Sequence, residues 1–210
     1  MTADIIYQVE KYCFTEISET VRLNRQWANV LQMCRDQRAV PEERVRLALL
    51  NMDYVTSFEL PFRLLLLRAP QLIAEVRERQ KLSQKNVLFN GKRYGCVYSM
   101  KIDISTVPDK FQYHLSHRIR RIISTGSTET PYQNIAKEVK APRERLALAL
   151  KAGLEVTALD GLFWFGCQRL AADVLKLRKA GMRIDTTSKT VSDTVTETVS
   201  IIPAYRSSRC

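Results

Sequence analysis

Three glycines divide the last third of the chain into segments of helical length. Gly153, Gly166 and Gly181 each follow a run whose apolar residues recur at three- and four-residue spacings, and glycine often ends a helix because it adopts the left-handed conformation without strain. Two runs rich in β-branched residues, "MRIDTT" and "TETVSIIPAY", follow the last glycine and are separated by "SKTVSDTV". The pattern predicts the order helix, helix, helix, strand, strand.

The three predicted helices have definite boundaries. The first is Arg143–Ala152, the second begins at a cap formed by Thr157 and ends at Gly166, and the third is Cys167–Ala180. A threonine suits the N-cap position because its hydroxyl accepts a hydrogen bond from a backbone N–H of the first turn. A tight turn at Gly166 would therefore join the second helix to the third.

The third predicted helix has one apolar and one polar face. Leu170, Val174 and Leu177 recur at spacings of four and three, which makes a stripe that packs inward. The residues that then project outward are Gln168, Arg169, Ala172, Asp173 and Lys176. Glutamine and arginine can form paired hydrogen bonds with adenine and guanine edges in the major groove of DNA. Any amphipathic surface helix also shows two such faces, so this helix alone does not establish DNA binding.

The stretch "LEVTALDGLFWFGCQRLAADVLKLRKAGMRIDTT" resembles the winged helix-turn-helix domain of many phage and plasmid DNA-binding proteins. The matching elements are the second helix, the turn, the recognition helix and the first wing strand, at Val156–Asp160, Gly166-Cys167, Arg169–Gly181 and Ile184–Thr186. The resemblance covers roughly residues 140–205, about a third of the chain. It implies that the third helix reads bases in the major groove while a β-hairpin wing contacts the DNA beside it.

This resemblance implies a set of DNA-binding residues. Bases or nearby phosphates would be contacted by Gln168, Arg169 and Lys176. The DNA backbone would be held by wing residues, namely Arg183, Ser188, Lys189 and Thr190. Asp173 places a negative charge on the reading face, where it could accept a hydrogen bond from cytosine or anchor a neighbouring cation, and we assign it no base.

The first 85 residues show helical periodicity almost throughout. Apolar residues recur at three- and four-residue spacings from Ile5 to Leu50, and Pro41 is typical of a helix start. We interpret residues 1–85 as a helical bundle that supports dimerisation. A homodimer would place two reading helices on paired half-sites and so multiply specificity.

A basic segment follows the predicted bundle. Alternating apolar residues between Asn86 and Ser105 predict a β-hairpin joined at Asn90-Gly91, with Lys92 and Arg93 beside the turn. A helix is then expected from Pro108, with three arginines near its end, Arg118, Arg120 and Arg121. We interpret residues 86–139 as a second module whose cations contact phosphates. A solvated strand face, and cations that favour a helix C-terminus, are the alternative explanations.

The chain as a whole is predicted to be mainly α with small β-hairpins, combining a helical N-terminal region with a winged helix-turn-helix domain at residues 140–206. A net charge of +11 and a sequence pI near 9.6 favour a polyanionic partner.

The longest apolar run, Leu64–Leu67, is far too short to span a membrane, and the first residues lack the pattern of a signal peptide. We therefore expect a cytoplasmic protein.

Cysteine and histidine usage favours neither a metal site nor a disulfide framework. The five cysteines are scattered and none has the C-x-x-C spacing. His114 and His117 are three residues apart, but no acidic residue or cysteine lies near them in sequence. We expect no metal and no cofactor.

Three classes of function are consistent with these features. The first is a sequence-specific double-stranded DNA-binding protein, a transcriptional regulator of a phage, plasmid or other mobile element. A replication initiator would use the same DNA contacts. The second is an inhibitor that binds a host protein, since winged domains also serve protein contacts. Catalysis is the least supported class, because the sequence lacks a phosphate-binding glycine loop, a Gly-x-Ser-x-Gly elbow and a His-Glu-x-x-His motif. We expect no enzyme.

Overall fold

The computed structural model describes residues 5–9, 21–89, 92–107, 119–123 and 125–208, and it describes residues 13–14, 89, 92, 94 and 113–114 by their backbone alone. The helices are α1 (Val21–Asp36), α2 (Pro41–Asn51), α3 (Leu60–Arg63), α4 (Ala69–Arg79), α5 (Pro131–Glu138), α6 (Pro142–Lys151), α7 (Ala158–Asp160) and α8 (Leu170–Lys179). A π-helical turn, Gly161–Phe165, continues α7, and a 3-10 turn spans Ile104–Thr106. The strands are β1 (Ile5–Val9), β2 (Cys13–Phe14), β3 (Val55–Thr56), β4 (Ser83–Phe89), β5 (Lys92–Ser99), β6 (Tyr113–His114), β7 (Ile119–Ile123), β8 (Thr128–Glu129), β9 (Val156–Thr157), β10 (Ile184–Asp193) and β11 (Thr198–Ser207).

These elements belong to two compact units. The described residues of unit 1 fall within Met1–Gln8, Ile119–Thr194 and Thr198–Cys210. Those of unit 2 fall within Val9–Arg118 and Val195–Glu197. Unit 1 therefore combines the first strand of the chain with its C-terminal part. None of the described helices is long and apolar enough to cross a membrane.

Unit 1 is built around a mixed six-stranded sheet in the order β8-β7-β1-β10-β11-β9. The long hairpin of β10 and β11 is antiparallel, with Ile184 opposite Ser207 at one end and Asp193 opposite Thr198 at the other. β1 runs parallel to β10, with Ile5 opposite Val191. Strands distant in sequence therefore meet in one sheet.

The prediction of a mainly α fold with small hairpins is wrong, because the six-stranded sheet and a three-stranded sheet in unit 2 make the protein α+β. Ile5–Val9 is a strand and not a helix: Ile5 and Tyr7 are buried while Gln8 is exposed, which fits the period of two of a strand. The segment Ile119–Ile123, expected to be helical, is also a strand. Short apolar runs fit both periods, and tertiary pairing decides between them.

A buried polar network joins five elements of unit 1. Asp160 at the end of α7 is 0% exposed, and it accepts hydrogen bonds from Tyr7 Oη at 2.9 Å, from Arg121 Nε at 3.1 Å and from the backbone N–H of Thr157 at 2.8 Å. Arg121, only 3% exposed, also pairs with Glu129. Burial and the charge of Asp160 raise the pKa of Tyr7 well above its usual value of 10.0, so the phenol keeps the proton that it donates.

Unit 2 contains the helices α1 to α4 and a three-stranded sheet in the order β3-β5-β4. The hairpin of β4 and β5 is confirmed, and its predicted turn at Asn90-Gly91 lies outside the described residues. The predicted helix start at Pro41 is confirmed by α2. Arg44 on α2 is 5% exposed, and its guanidinium donates to the carbonyl oxygens of Ala39 and Leu64. This arginine is part of the interior of unit 2.

Removal of the Asp160 carboxylate tests the buried network. We expect Asp160→Ala to lower the free energy of unfolding of unit 1 by about 3–5 kcal/mol, because the buried charge of Arg121 loses one of its carboxylate partners. Tyr7→Phe, which removes one hydrogen bond, should lower it by about 1–3 kcal/mol. Urea unfolding followed by tryptophan fluorescence measures both changes, since Trp164 lies in the core of unit 1.

Glu138→Ala is the matched control, because Glu138 is exposed at the end of α5. Its effect on the free energy of unfolding should stay within about 0.5 kcal/mol. Equal effects of Asp160→Ala and Glu138→Ala would contradict a stabilising role for the network.

Candidate nucleic-acid interface

The turn that leads to α8 is built as its sequence predicts. Thr157 caps α7 in a reciprocal arrangement: its hydroxyl accepts from the N–H of Asp160, and the Asp160 carboxylate accepts from the N–H of Thr157. The helix then continues through the π-helical turn to Gly166, whose φ of 72° is left-handed. At Gly161 a Cβ atom would lie 3.1 Å from Leu170 Cδ1. The absence of a side chain here therefore lets the π-helical turn pack closely against α8.

The inward face of α8 is confirmed. Leu170, Val174 and Leu177 are buried in the core of unit 1. The helix begins three residues later than predicted, so Gln168 and Arg169 lie in the turn before it, with Arg169 at the N-cap position. Both residues are exposed. They are therefore presented at the N-terminal end of α8.

A row of exposed residues follows from the same spacing. Arg169, Ala172, Lys176 and Lys179 are separated by three, four and three positions and are all exposed, so they lie on one side of α8. Arg183 is exposed just beyond the helix. We call Arg169, Lys176, Lys179 and Arg183 the reading-face cations. Lys179 was not predicted as a site residue, although the three- and four-residue spacing from Lys176 would have found it.

The charge of Asp173 is compensated from a neighbouring helix. Asp173 Oδ1 lies 3.5 Å from Arg143 Nε at the start of α6. Burial, together with the charge of Asp173, raises the pKa of Cys167 to about 12. Asp173 therefore belongs to the packing between α6 and the turn before α8, which explains an acidic residue beside a basic surface.

The long hairpin separates the predicted wing residues onto two faces. Residues paired across the strands share a face, so Thr186, Ser188 and Thr190 lie on the side of Tyr205, where Arg178 of α8 donates to Thr186 Oγ1 at 2.9 Å. Lys189 points to the opposite side, and its Nζ lies 2.8 Å from Glu155 Oε2. Ser188 and Thr190 thus lie on the face of the hairpin that α8 contacts, whereas Lys189 does not.

The predicted phosphate-contacting cations of the module at 86–139 lie on strands where the structure describes them. Arg121 is the buried arginine of the Asp160 network, and its side chain is therefore held inside unit 1. Arg120 is exposed on the other face of β7. Arg93 is exposed on β5 of unit 2, while the side chain of Lys92 and the whole of Arg118 lie outside the described residues. Of the three predicted arginines, the two that the structure describes, Arg120 and Arg121, lie on a strand and not on a helix.

The structure gives no indication of a metal centre in the part of the chain that it describes. No group of three or more histidine, cysteine, aspartate or glutamate side chains is arranged there to hold an ion. His117 lies outside the described residues, and His114 is described by its backbone alone.

Comparison with known protein families gives a match in the C-terminal part of the chain. Residues 142–205 match the family model of the Winged helix-turn-helix domain. The predicted resemblance of the C-terminal third is confirmed. No curated protein and no solved structure matches the chain. The match extends from α6 to β11, and a winged helix-turn-helix domain suggests DNA binding.

Substitution of Gly166 tests the turn of the winged helix-turn-helix domain. A Cβ atom here would meet only Pro142 Cγ, at 3.8 Å, so the cost of alanine is conformational and not steric. We expect Gly166→Ala to lower the free energy of unfolding by about 1–2 kcal/mol, because an L-residue with a Cβ atom is strained at this φ. Gly166→Asn should cost less, since asparagine tolerates the left-handed region. Urea unfolding of the two variants checks the order, and equal losses would contradict this explanation.

Proposed function

We propose that the protein binds double-stranded DNA sequence-specifically and acts as a transcriptional regulator of a phage, plasmid or other mobile element. The observation that carries the proposal is the row of exposed cations on α8, which lies within a domain that matches the Winged helix-turn-helix family model. The regulatory role and the mobile-element source are supported by the resemblance of residues 140–205 to phage and plasmid DNA-binding domains. A DNA-binding role is also consistent with the net charge of +11.

The dimensions and chemistry of α8 suit a major groove. Its ten residues span about 15 Å at 1.5 Å each, and a helix fits the roughly 12 Å width of the groove. Gln168 and Arg169 at its N-terminal end carry the side chains that recognise adenine and guanine. Lys176, Lys179 and Arg183 lie further along and suit phosphate contacts. Base reading and backbone contacts therefore come from different ends of one surface.

Recognition of DNA by a homodimer is part of the proposal. A single short helix contacts few base pairs, and two helices on half-sites about one helical turn apart would give the specificity that a regulator needs. Selection of bound sequences from random duplex DNA tests this directly. We expect an inverted repeat, and a single unrepeated site would contradict the dimer while leaving DNA binding intact.

Alanine variants of the reading face test the assignment of residues. We expect Arg169→Ala to lower the affinity for the selected duplex by about 10- to 100-fold and to relax the base preference, since a paired arginine–guanine contact provides about 1–3 kcal/mol. Lys176→Ala should weaken specific and random DNA alike. Fluorescence anisotropy at several salt concentrations measures both effects.

Lys189→Ala is the matched control, because this lysine belongs to the same unit but faces Glu155 on the opposite side of the hairpin. Its affinity should stay within about twofold of the parent protein. If Arg169→Ala bound DNA as tightly as Lys189→Ala, α8 would not be the reading helix. Lys176, Lys179 and Arg183 on three phosphates predict a slope of about −2.7 in log affinity against log salt for each domain, and binding that does not depend on salt would favour a protein partner instead.

A further inference from the structure

Arg178 is the cation of α8 whose side chain turns back onto the protein. Its Nη2 atom donates to the carbonyl oxygen of Ile184 at 2.7 Å and to Thr186 Oγ1 at 2.9 Å. Its Nε atom donates to the same carbonyl at 3.1 Å. These bonds connect the last turn of α8 to the first three residues of β10. The side chain thus spans the junction between the reading helix and the hairpin.

The same guanidinium reaches the second strand of the hairpin. The Cζ atom of Arg178 lies 6.0 Å from the ring centroid of Tyr205, and Tyr205 is paired with Thr186 across the two strands. One side chain on α8 therefore contacts both β10 and β11. An arginine suits this position because its planar fork carries several donors in a fixed geometry, whereas a lysine offers a single ammonium group.

We propose that Arg178 is a positioning residue that sets the angle between α8 and the hairpin, and that it is not a phosphate contact. The inference rests on the proposed DNA binding, because the angle matters only if the helix and the hairpin engage one ligand together. With Arg178 in place, the face that carries Ser188 and Thr190 keeps a fixed orientation to the reading-face cations. Without the guanidinium, the start of β10 is held less firmly against α8. The hairpin must then lose more conformational freedom when DNA binds, which weakens binding.

The dependence of affinity on salt separates positioning from phosphate contact. A lysine or arginine that neutralises a phosphate contributes about −0.9 to the slope of log affinity against log salt. Arg178→Ala should lower the affinity for the selected duplex about tenfold and leave this slope unchanged. Lys179→Ala, a change to the neighbouring exposed lysine, should reduce the magnitude of the slope by about 0.9.

The fork of donors, and not the charge alone, is tested by Arg178→Lys. A lysine keeps the positive charge that favours a helix C-terminus but loses the paired donors. We expect Arg178→Lys to restore less than half of the lost binding free energy. Thr186→Val removes one acceptor of the guanidinium, and its effect on affinity should be smaller in the Arg178→Ala background than in the parent protein, because the two changes remove the same contact.

Hydrogen exchange of the free full-length protein provides a readout that needs no DNA. In Arg178→Ala the amides at the base of the hairpin, from Ile184 to Thr190, should exchange several times faster, and those of Lys179→Ala should not change. Unchanged exchange together with a smaller salt slope would show that Arg178 contacts a phosphate and would overturn the proposal. If the parent protein bound no duplex, the proposed function would fail, while faster exchange would still show that Arg178 braces the hairpin.

Discussion

The buried carboxylate of Asp160 is the interaction on which unit 1 depends. It closes the capping box that starts α7, and it accepts hydrogen bonds from Tyr7 on β1 and from Arg121 on β7. A carboxylate removed from water is tolerated only when its oxygen atoms are fully satisfied by charge and hydrogen bonds. The segments that meet it must therefore be in place together. The geometry of the helix-turn-helix is thereby tied to strands that lie far from it in sequence.

Features with a local cause could be predicted from the sequence. The left-handed φ at Gly166, the cap at Thr157 and the buried stripe on α8 each depend on a few neighbouring residues, and all three are confirmed. Gly181, which follows the C-cap of α8 and has a φ of 93°, belongs to the same class. Local chemistry of this kind leaves few alternatives, so the order of elements and the motif of residues 142–205 could be recognised.

Features with a distant cause could not be predicted. β1 pairs with β10 across most of the chain, and in a short segment such as Ile5–Val9 the helical and strand periods share the same apolar positions. The same ambiguity between helical and strand periods applies to Ile119–Ile123, which was expected to end a helix. It is a strand that buries Arg121 and exposes Arg120. A cation in a sequence does not reveal whether its partner is a phosphate or a carboxylate of the same chain.

The net charge of +11 therefore says less about DNA binding than the placement of its cations does. Arg44 and Arg121 are buried in the interiors of their units, where they donate hydrogen bonds, and Lys189 is paired with Glu155. Arg178 is directed at the hairpin although its residue is exposed. The cations that stabilise the fold bond to carbonyl, carboxylate or hydroxyl oxygens of the same chain within a few ångströms. Arg169, Lys176 and Lys179 are exposed on one side of α8, and this alignment supports the proposed DNA-binding surface more than the net charge does.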